Sequence, residues 1–213
     1  MSALEAKIVA ISGGTASGKS TFARQSHGAA VVSTDDFYLD IEDLTPQPDG
    51  SVNWEDPQTA DLAACRQACR LLAQGQTVEL PIYDKPSSKR RGYRQAAPPA
   101  GGLVIIEGLF AFEDQIASLA DILIFLDVSM DVRRSRRLER DMASGVAVDL
   151  ILANLCNAEA AEKVQLDSWR QRAHVVLTER EMLTYWEQGW EHAWKQAPHS
   201  EYAQSVSRSR RSE

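Results

Sequence analysis

The sequence predicts an α/β domain in which a parallel sheet is linked by crossover helices. Three observations predict it. Short runs rich in Val, Ile and Leu recur along the chain: Ile8–Ser12, Ala30–Ser33, Leu103–Ile106, Ile122–Leu126 and Val175–Leu177. Strands buried on both faces read as continuous apolar runs of this kind, without the alternation of a half-exposed sheet. Helical patterns fill the intervals between them, which is the rhythm of βαβ units. The first run then passes straight into Gly13-Gly14-Thr15-Ala16-Ser17-Gly18-Lys19-Ser20, a glycine-rich turn of the form G-x-x-x-x-G-K-S.

That first junction carries the most information. A buried strand, a glycine-rich loop and a helix starting near Lys19 aim a row of backbone N–H groups at one point. Glycines let the backbone curl around phosphate oxygens with no Cβ in the way. Lys19 can reach the outer phosphates of a nucleotide, and the Ser20 hydroxyl, followed by Thr21, can bind Mg²⁺. The first helix is expected from Lys19 to about Ser26, and the pattern implies a nucleoside triphosphate bound with Mg²⁺.

Strand two ends in Ser33-Thr34-Asp35-Asp36-Phe37-Tyr38. Carboxylates at the carboxyl end of a parallel strand lie in the crevice where such sheets bind ligands. Asp35 is the candidate to accept the proton of an attacking hydroxyl, or to hold that hydroxyl in line; the alternative is a turn cap. Residues Asp40–Pro57, rich in Pro, Asp and Gly, read as a long functional loop. A helix follows over Thr59–Ala73, with Cys65 and Cys69 on one face as buried free thiols in no zinc pattern.

The segment Gln76–Pro99 is predicted to hold a short strand, Val78–Tyr83, and then a basic loop through Lys85, Lys89, Arg90, Arg91 and Arg94. Leu103-Val104-Ile105-Ile106-Glu107-Gly108 is an apolar strand closed by a carboxylate, the shape of a Walker B strand, so Glu107 would hold Mg²⁺ opposite Ser20. Helices are expected over Val132–Ser144 and from Leu150 onwards. In the former, Arg133, Arg136, Arg137 and Arg140 share one face and leave Arg134 aside. A lid that closes over a triphosphate accounts for so many like charges within about two turns; the competitor is a solvated face paired with Asp131, Glu139 and Asp141. Thr178, with Glu181 three residues on, is a predicted helix cap. The aromatic series Trp186, Trp190 and Trp194 reads as packing.

Bulk properties exclude several classes. The chain has 213 residues, 44% hydrophobic and 25% charged, enough for one domain with a sizeable core. A net charge of −7 argues against a general nucleic-acid partner. Neither a membrane-span run nor an export signal is present, and cytoplasmic location fits. Residues 1–196 are taken as the domain and the Ser/Arg-rich 197–213 as a disordered tail.

Taken together, the motifs resemble the uridine kinase family of phosphate-loop kinases. The strings are the phosphate loop, Ser33–Tyr38, Asn53-Trp54-Glu55-Asp56-Pro57, Pro81-Ile82-Tyr83-Asp84, Ile106-Glu107-Gly108 and Asp131-x-Arg133-x-x-Arg136-Arg137-x-x-Arg140-Asp141, in order over roughly residues 7 to 177. The resemblance implies the P-loop NTPase fold: a five-stranded parallel sheet with helices on both faces, a small β-hairpin insertion over about 76–99, and an arginine lid over about 130–147. It implies transfer of the γ-phosphate of ATP to the 5′-hydroxyl of a nucleoside. Asp35 would be the base, with Lys19 and Arg136 sharing the catalysis. ATP would be held by Gly13 through Thr21 together with Arg133 and Arg137. Tyr38, Glu55 and Tyr83 would line the acceptor site with Asp35 and Arg133, and Ser20 and Glu107 would hold Mg²⁺. Relatives of this kind often form homo-oligomers.

The departures from that pattern bear on the acceptor. The position at which the family's His reads the pyrimidine is here Ser88, and the ribose-binding Asp is here Glu55. The parts for phosphoryl transfer are all present, whereas those that read the base are altered. Other acceptors, such as nicotinamide riboside, pantothenate or a sugar phosphate, stay open, as does a nucleotide-binding module without catalysis.

Overall fold

Each of the five apolar runs forms a strand, and together they make one parallel sheet. The structure is a computed structural model that describes residues 6–48, 50–149, 151–152 and 165–188. Strand β1 is Lys7–Gly13, β2 Ala30–Ser33, β5 Leu103–Glu107, β6 Ile122–Asp127 and β7 Val175–Thr178, in the spatial order β2-β5-β1-β6-β7. All four pairings are parallel. Strand β1 lies at the centre and is buried along almost its whole length, which is why its sequence lacks polar alternation.

Helices cover both faces because successive side chains of each strand point opposite ways. On one face Ile8, Val32, Val104 and Ile106 pack against α2 (Leu62–Ala73), which contributes Leu62, Cys65, Cys69 and Leu72. On the other, Val9, Ile11, Ile105 and Ile124 meet Phe22 of α1 (Lys19–Arg24) and Tyr185. Both cysteines of α2 are buried and free, as their position on the apolar face of the helix requires. Trp169 packs on Phe112 at 6.2 Å, and Trp186 stacks on Phe22 at 5.0 Å while donating to its carbonyl at 2.8 Å.

Several boundaries differ from expectation for local reasons. Helix α2 starts at Leu62, because Pro57–Thr59 is a separate 3₁₀ turn capped by Asp56, and Asp61 caps α2 by accepting from the Ala64 amide at 2.9 Å. Helix α1 ends at Arg24. The segment read from composition as a basic loop is a strand from Lys89 onwards, and it completes the hairpin insertion that the resemblance implied: β3 (Val78–Asp84) pairs antiparallel with β4 (Lys89–Ala96), with a bulge near Ile82 and Tyr83. A two-stranded ribbon leaves its outer face in water, where Lys and Arg are tolerated, so cross-strand pairing overrides their weak strand preference.

Further helices among the described residues include α3 (Asp114–Ala117), the arginine-bearing α4 (Met130–Ala143) and α5 (Glu179–Met182). Thr178 caps α5 as expected: its hydroxyl and the Glu181 carboxylate form the reciprocal capping box. Of the expected helix from Leu150 onwards, 151–152 and 165–172 are helical and 153–164 lie outside the described residues, as do Cys156, Trp190, Trp194 and the 197–213 tail. Among the described residues no helix is long and apolar enough to cross a membrane.

Candidate active site

Every strand of the sheet points its carboxyl end the same way, and the candidate residues gather there. The loop after β1 begins the site. Gly18 closes it with φ of 92°, a left-handed conformation that an L side chain resists, at the position preceding α1. Gly14 is small for a different reason: a Cβ there would collide with the Arg133 guanidinium, which packs against the loop and donates to the Thr15 carbonyl at 3.3 Å. The Lys19 ammonium folds back over the loop onto the carbonyls of Gly13 and Gly14, at 2.8 and 3.1 Å.

Sheet register brings the acids to this loop. Glu107, the last residue of β5, lies beside Ile11 of β1 and Ser33 of β2. The Ser20 hydroxyl donates to its Oε2 at 3.0 Å. Glu107 is only 3% exposed. Burial, reinforced by the nearby charge of Asp35, raises its pKa, and Ser33, Lys19 and Ser20 offset this only in part. A buried carboxylate with a raised pKa next to a hydroxyl oxygen suits a hard divalent cation, and Mg²⁺ is commonly held by one or two protein oxygens plus substrate phosphates. Among the described residues no three His, Cys, Asp or Glu side chains cluster as a self-sufficient metal site.

Directly after β2 the chain tightens into a 3₁₀ turn, Thr34–Phe37. Successive residues of such a turn diverge by roughly 120°, so the two adjacent acids part company. Asp35 faces the cleft, and the Lys85 ammonium donates to its Oδ2 at 2.7 Å. Asp36 turns to the hairpin and pairs with Arg94 at 3.3 Å. Burial works against the charge on Asp35, yet Lys85 foremost, helped by Lys19, holds its carboxyl below the ordinary range. Asp36, whose burial outweighs its arginine, is shifted the opposite way.

The cleft so enclosed measures about 560 Å³. Its walls include the phosphate loop, Asp35, Glu55 and Glu107, with Arg136, Arg137 and Arg140 of α4 along the opposite side. Arg136 is anchored to Glu179 of α5 at 2.6 Å, and Arg137 and Arg140 both hold Asp141. Arg133 sits apart from these three: it is 6% exposed and braces the loop from behind. Arg134 points aside to Asp131, as helical spacing requires.

Beside the cleft lies a smaller pocket of about 240 Å³ lined by Tyr38, Trp54, Tyr83, Lys85 and Ser88. Its aromatic wall is built around Tyr38, whose ring lies 5.5 Å from both Trp54 and Tyr83 and whose hydroxyl donates to the Trp54 carbonyl at 3.0 Å. Tyr38, Trp54 and Lys85 border both cavities. Lys85 had no individual signal in the sequence, where it was one of five bases in a presumed loop. The Glu179 anchor of Arg136 was equally invisible, being 43 residues away in the chain.

Over residues 8–180 the sequence matches the phosphoribulokinase / uridine kinase family. The chain belongs to that family. As such it is an ATP-dependent kinase that acts on a hydroxyl group of a small molecule. A uridine kinase of Alkaliphilus metalliredigens is 35% identical over 142 residues, covering 63% of this chain and 68% of that protein. A uridine kinase of Brevibacillus brevis is 27% identical over 181 residues, covering 81% and 84%. Among solved structures, a candidate fructose transport system kinase of Silicibacter sp. TM1040 matches this kinase with a TM-score of 0.60 at 27% identity, over 75% of this chain and 85% of that one. Phosphoribulokinase of Rhodobacter spheroides gives 0.59 at 15% identity, over 83% and 71%, a likeness of fold alone.

Proposed function

We propose that this kinase transfers the γ-phosphate of MgATP in line to the 5′-hydroxyl of a nucleoside, with uridine or cytidine as the first acceptors to test. The observation that carries this reading is the place of Asp35. It stands in the phosphate-loop cleft, and the turn that bears it ends at Tyr38, the hub of the adjoining aromatic pocket. The aromatic-walled pocket of about 240 Å³ would offer apolar faces to a planar base, Glu55 stands in the cleft where ribose hydroxyls would reach it, and the sugar's free hydroxyl would then meet Asp35.

The roles follow from charge and position. The loop amides and Lys19 would take the β- and γ-phosphates, and a second cavity of about 600 Å³ beside Thr21, Gln25, Arg136, Met182 and Leu183 would take the purine. Ser20 and Glu107 would hold Mg²⁺, which supplies neutralising charge between the phosphates when bound. Arg136, Arg137 and Arg140 would close from the lid onto the phosphate oxygens, and Arg133 would keep the loop in shape beneath them. Asp35 orients the acceptor hydroxyl and receives its proton. Little covalent work falls to the protein; positioning and charge neutralisation account for the rate.

One observation favours a second acceptor class. The pocket carries Ser88 and the cation Lys85 where a uridine kinase of the resembling pattern has its pyrimidine-reading His nearby, and a site that loses a hydrogen-bonding group changes its substrate sharply. Nicotinamide riboside, pantothenate and sugar phosphates therefore belong in the same screen. The test is ATP consumption by the purified protein against single acceptors, with the phosphorylated product identified by mass. The nucleoside reading expects a 5′-monophosphate, and the appearance of a phosphorylated sugar or pantothenate with no nucleotide product would replace it.

A further inference from the structure

The phosphate-loop cleft and the aromatic pocket adjoin along a common border formed by Tyr38, Trp54 and Lys85. Lys85 is the charged member of that border. It stands on the turn of the hairpin, and its ammonium lies on Oδ2 of Asp35 at 2.7 Å. Its neighbours on the hairpin are engaged elsewhere: Lys89 with Glu42, Arg91 with Asp84 and Arg94 with Asp36. The Lys85 side chain is 68% exposed against 30% for Asp35, so the ammonium reaches the pair from the open side of the cleft and can change partners without leaving water. While it holds, it also covers the oxygen that an acceptor hydroxyl would need.

We propose that Lys85 is a catalytic residue whose ammonium leaves Asp35 for the phosphoryl group in transit; this rests on the transfer reaction proposed above. In that step the acceptor O–H bond breaks and its proton passes to Asp35. A bond forms between the acceptor oxygen and the γ-phosphorus, and the bond from that phosphorus to the β,γ-bridging oxygen breaks, its electron pair leaving with ADP. Negative charge on the equatorial oxygens then meets Lys19 from the loop side and Lys85 from the acceptor side. As the hydroxyl takes over Asp35, the phosphoryl oxygens in the same cleft offer Lys85 a replacement anion.

The test compares wild type with Lys85→Met, Lys85→Arg and the hairpin control Lys89→Met. Donation to a transition-state oxyanion is commonly worth about 10²–10³ in rate. Lys85→Met should therefore lose about that much in kcat, with ATP affinity by calorimetry changed less than about threefold, while Lys85→Arg recovers a substantial part. Removing the cation also lets the Asp35 pKa rise, so the acid limb of the kcat/KM profile should move to higher pH in Lys85→Met. If Lys85 merely docks the hairpin, Lys85→Met and Lys89→Met will both raise the acceptor KM and leave kcat and the acid limb in place, and the proposal is overturned. A wild-type protein that binds ATP but transfers phosphate to no acceptor overturns the reaction and Lys85's role together, whereas active wild type with an equally active Lys85→Met removes only the latter.

Discussion

Lys19 and Asp35 divide the chemistry at the level of single side chains, and each division can be measured. The Lys19 ammonium is stored on two loop carbonyls within reach of the phosphate site. Lys19→Ala should lower kcat/KM by about 10³-fold or more and weaken ATP binding, measured by steady-state kinetics and calorimetry. Asp35→Asn keeps the shape and removes the basicity. It should leave the dissociation constant of ATP within about twofold and reduce kcat by about 10²–10⁴-fold; near-normal turnover would remove Asp35 from its role as base. Sequence spacing named both residues because a phosphate loop and the acidic end of a parallel strand are local patterns. Lys85 carries no such signal because its partner, Asp35, lies 50 positions earlier, and no local pattern in a basic segment says which base will face an acid.

Elements owe their places to burial more than to propensity. Helix α2 is held by one apolar face, with Leu62, Cys65, Cys69 and Leu72 fully buried or nearly so against the sheet. Leu72→Ala should cost about 3 kcal/mol, seen as a lower urea midpoint with an unchanged slope; a loss below about 1 kcal/mol would show that the site collapses around the deletion. The hairpin is held differently, by a row of ties to the segment after β2: Lys85 to Asp35, Arg94 to Asp36, the Arg90 amide to Asp40 and Lys89 to Glu42. That alternation of partners explains why the bases of β4 do not repel the ribbon apart, and why a segment that reads as loop by composition is a strand. Helix α4 shows the reverse case. Its arginine face was legible from i, i+3 and i+4 spacing, yet the same helix divides its arginines between a cleft-facing group and the buried brace Arg133.

Across the whole molecule the site stores a cost that binding would relieve. Folding buries Glu107 and raises its pKa, so the folded chain binds that proton more tightly than the unfolded chain does. This contribution to stability is fully present below the ordinary carboxylate range and is lost as pH rises through the folded value. Above that value the ionised carboxylate is therefore a burden on the nucleotide-free fold. Glu107→Gln should stabilise that state by about 1 kcal/mol, a rise in melting temperature of about 2–4 °C at neutral pH that shrinks as pH falls through the folded value towards the ordinary carboxylate range, while transfer activity is largely lost. Equal melting temperatures for the two proteins at pH 7 would mean the burial cost is already met within the fold.

The five strands, the phosphate loop, the acids at two strand ends and the arginine face were determined by the sequence alone, since each rests on neighbours within a turn or a strand. Tertiary structure decided which of these meet. Parallel register puts Glu107 beside Ser33 and within reach of Ser20, 87 residues away, and the hairpin carries Lys85 to Asp35. Such contacts depend on how long segments dock, and docking is driven by non-directional apolar burial that leaves no mark at the polar positions it brings together.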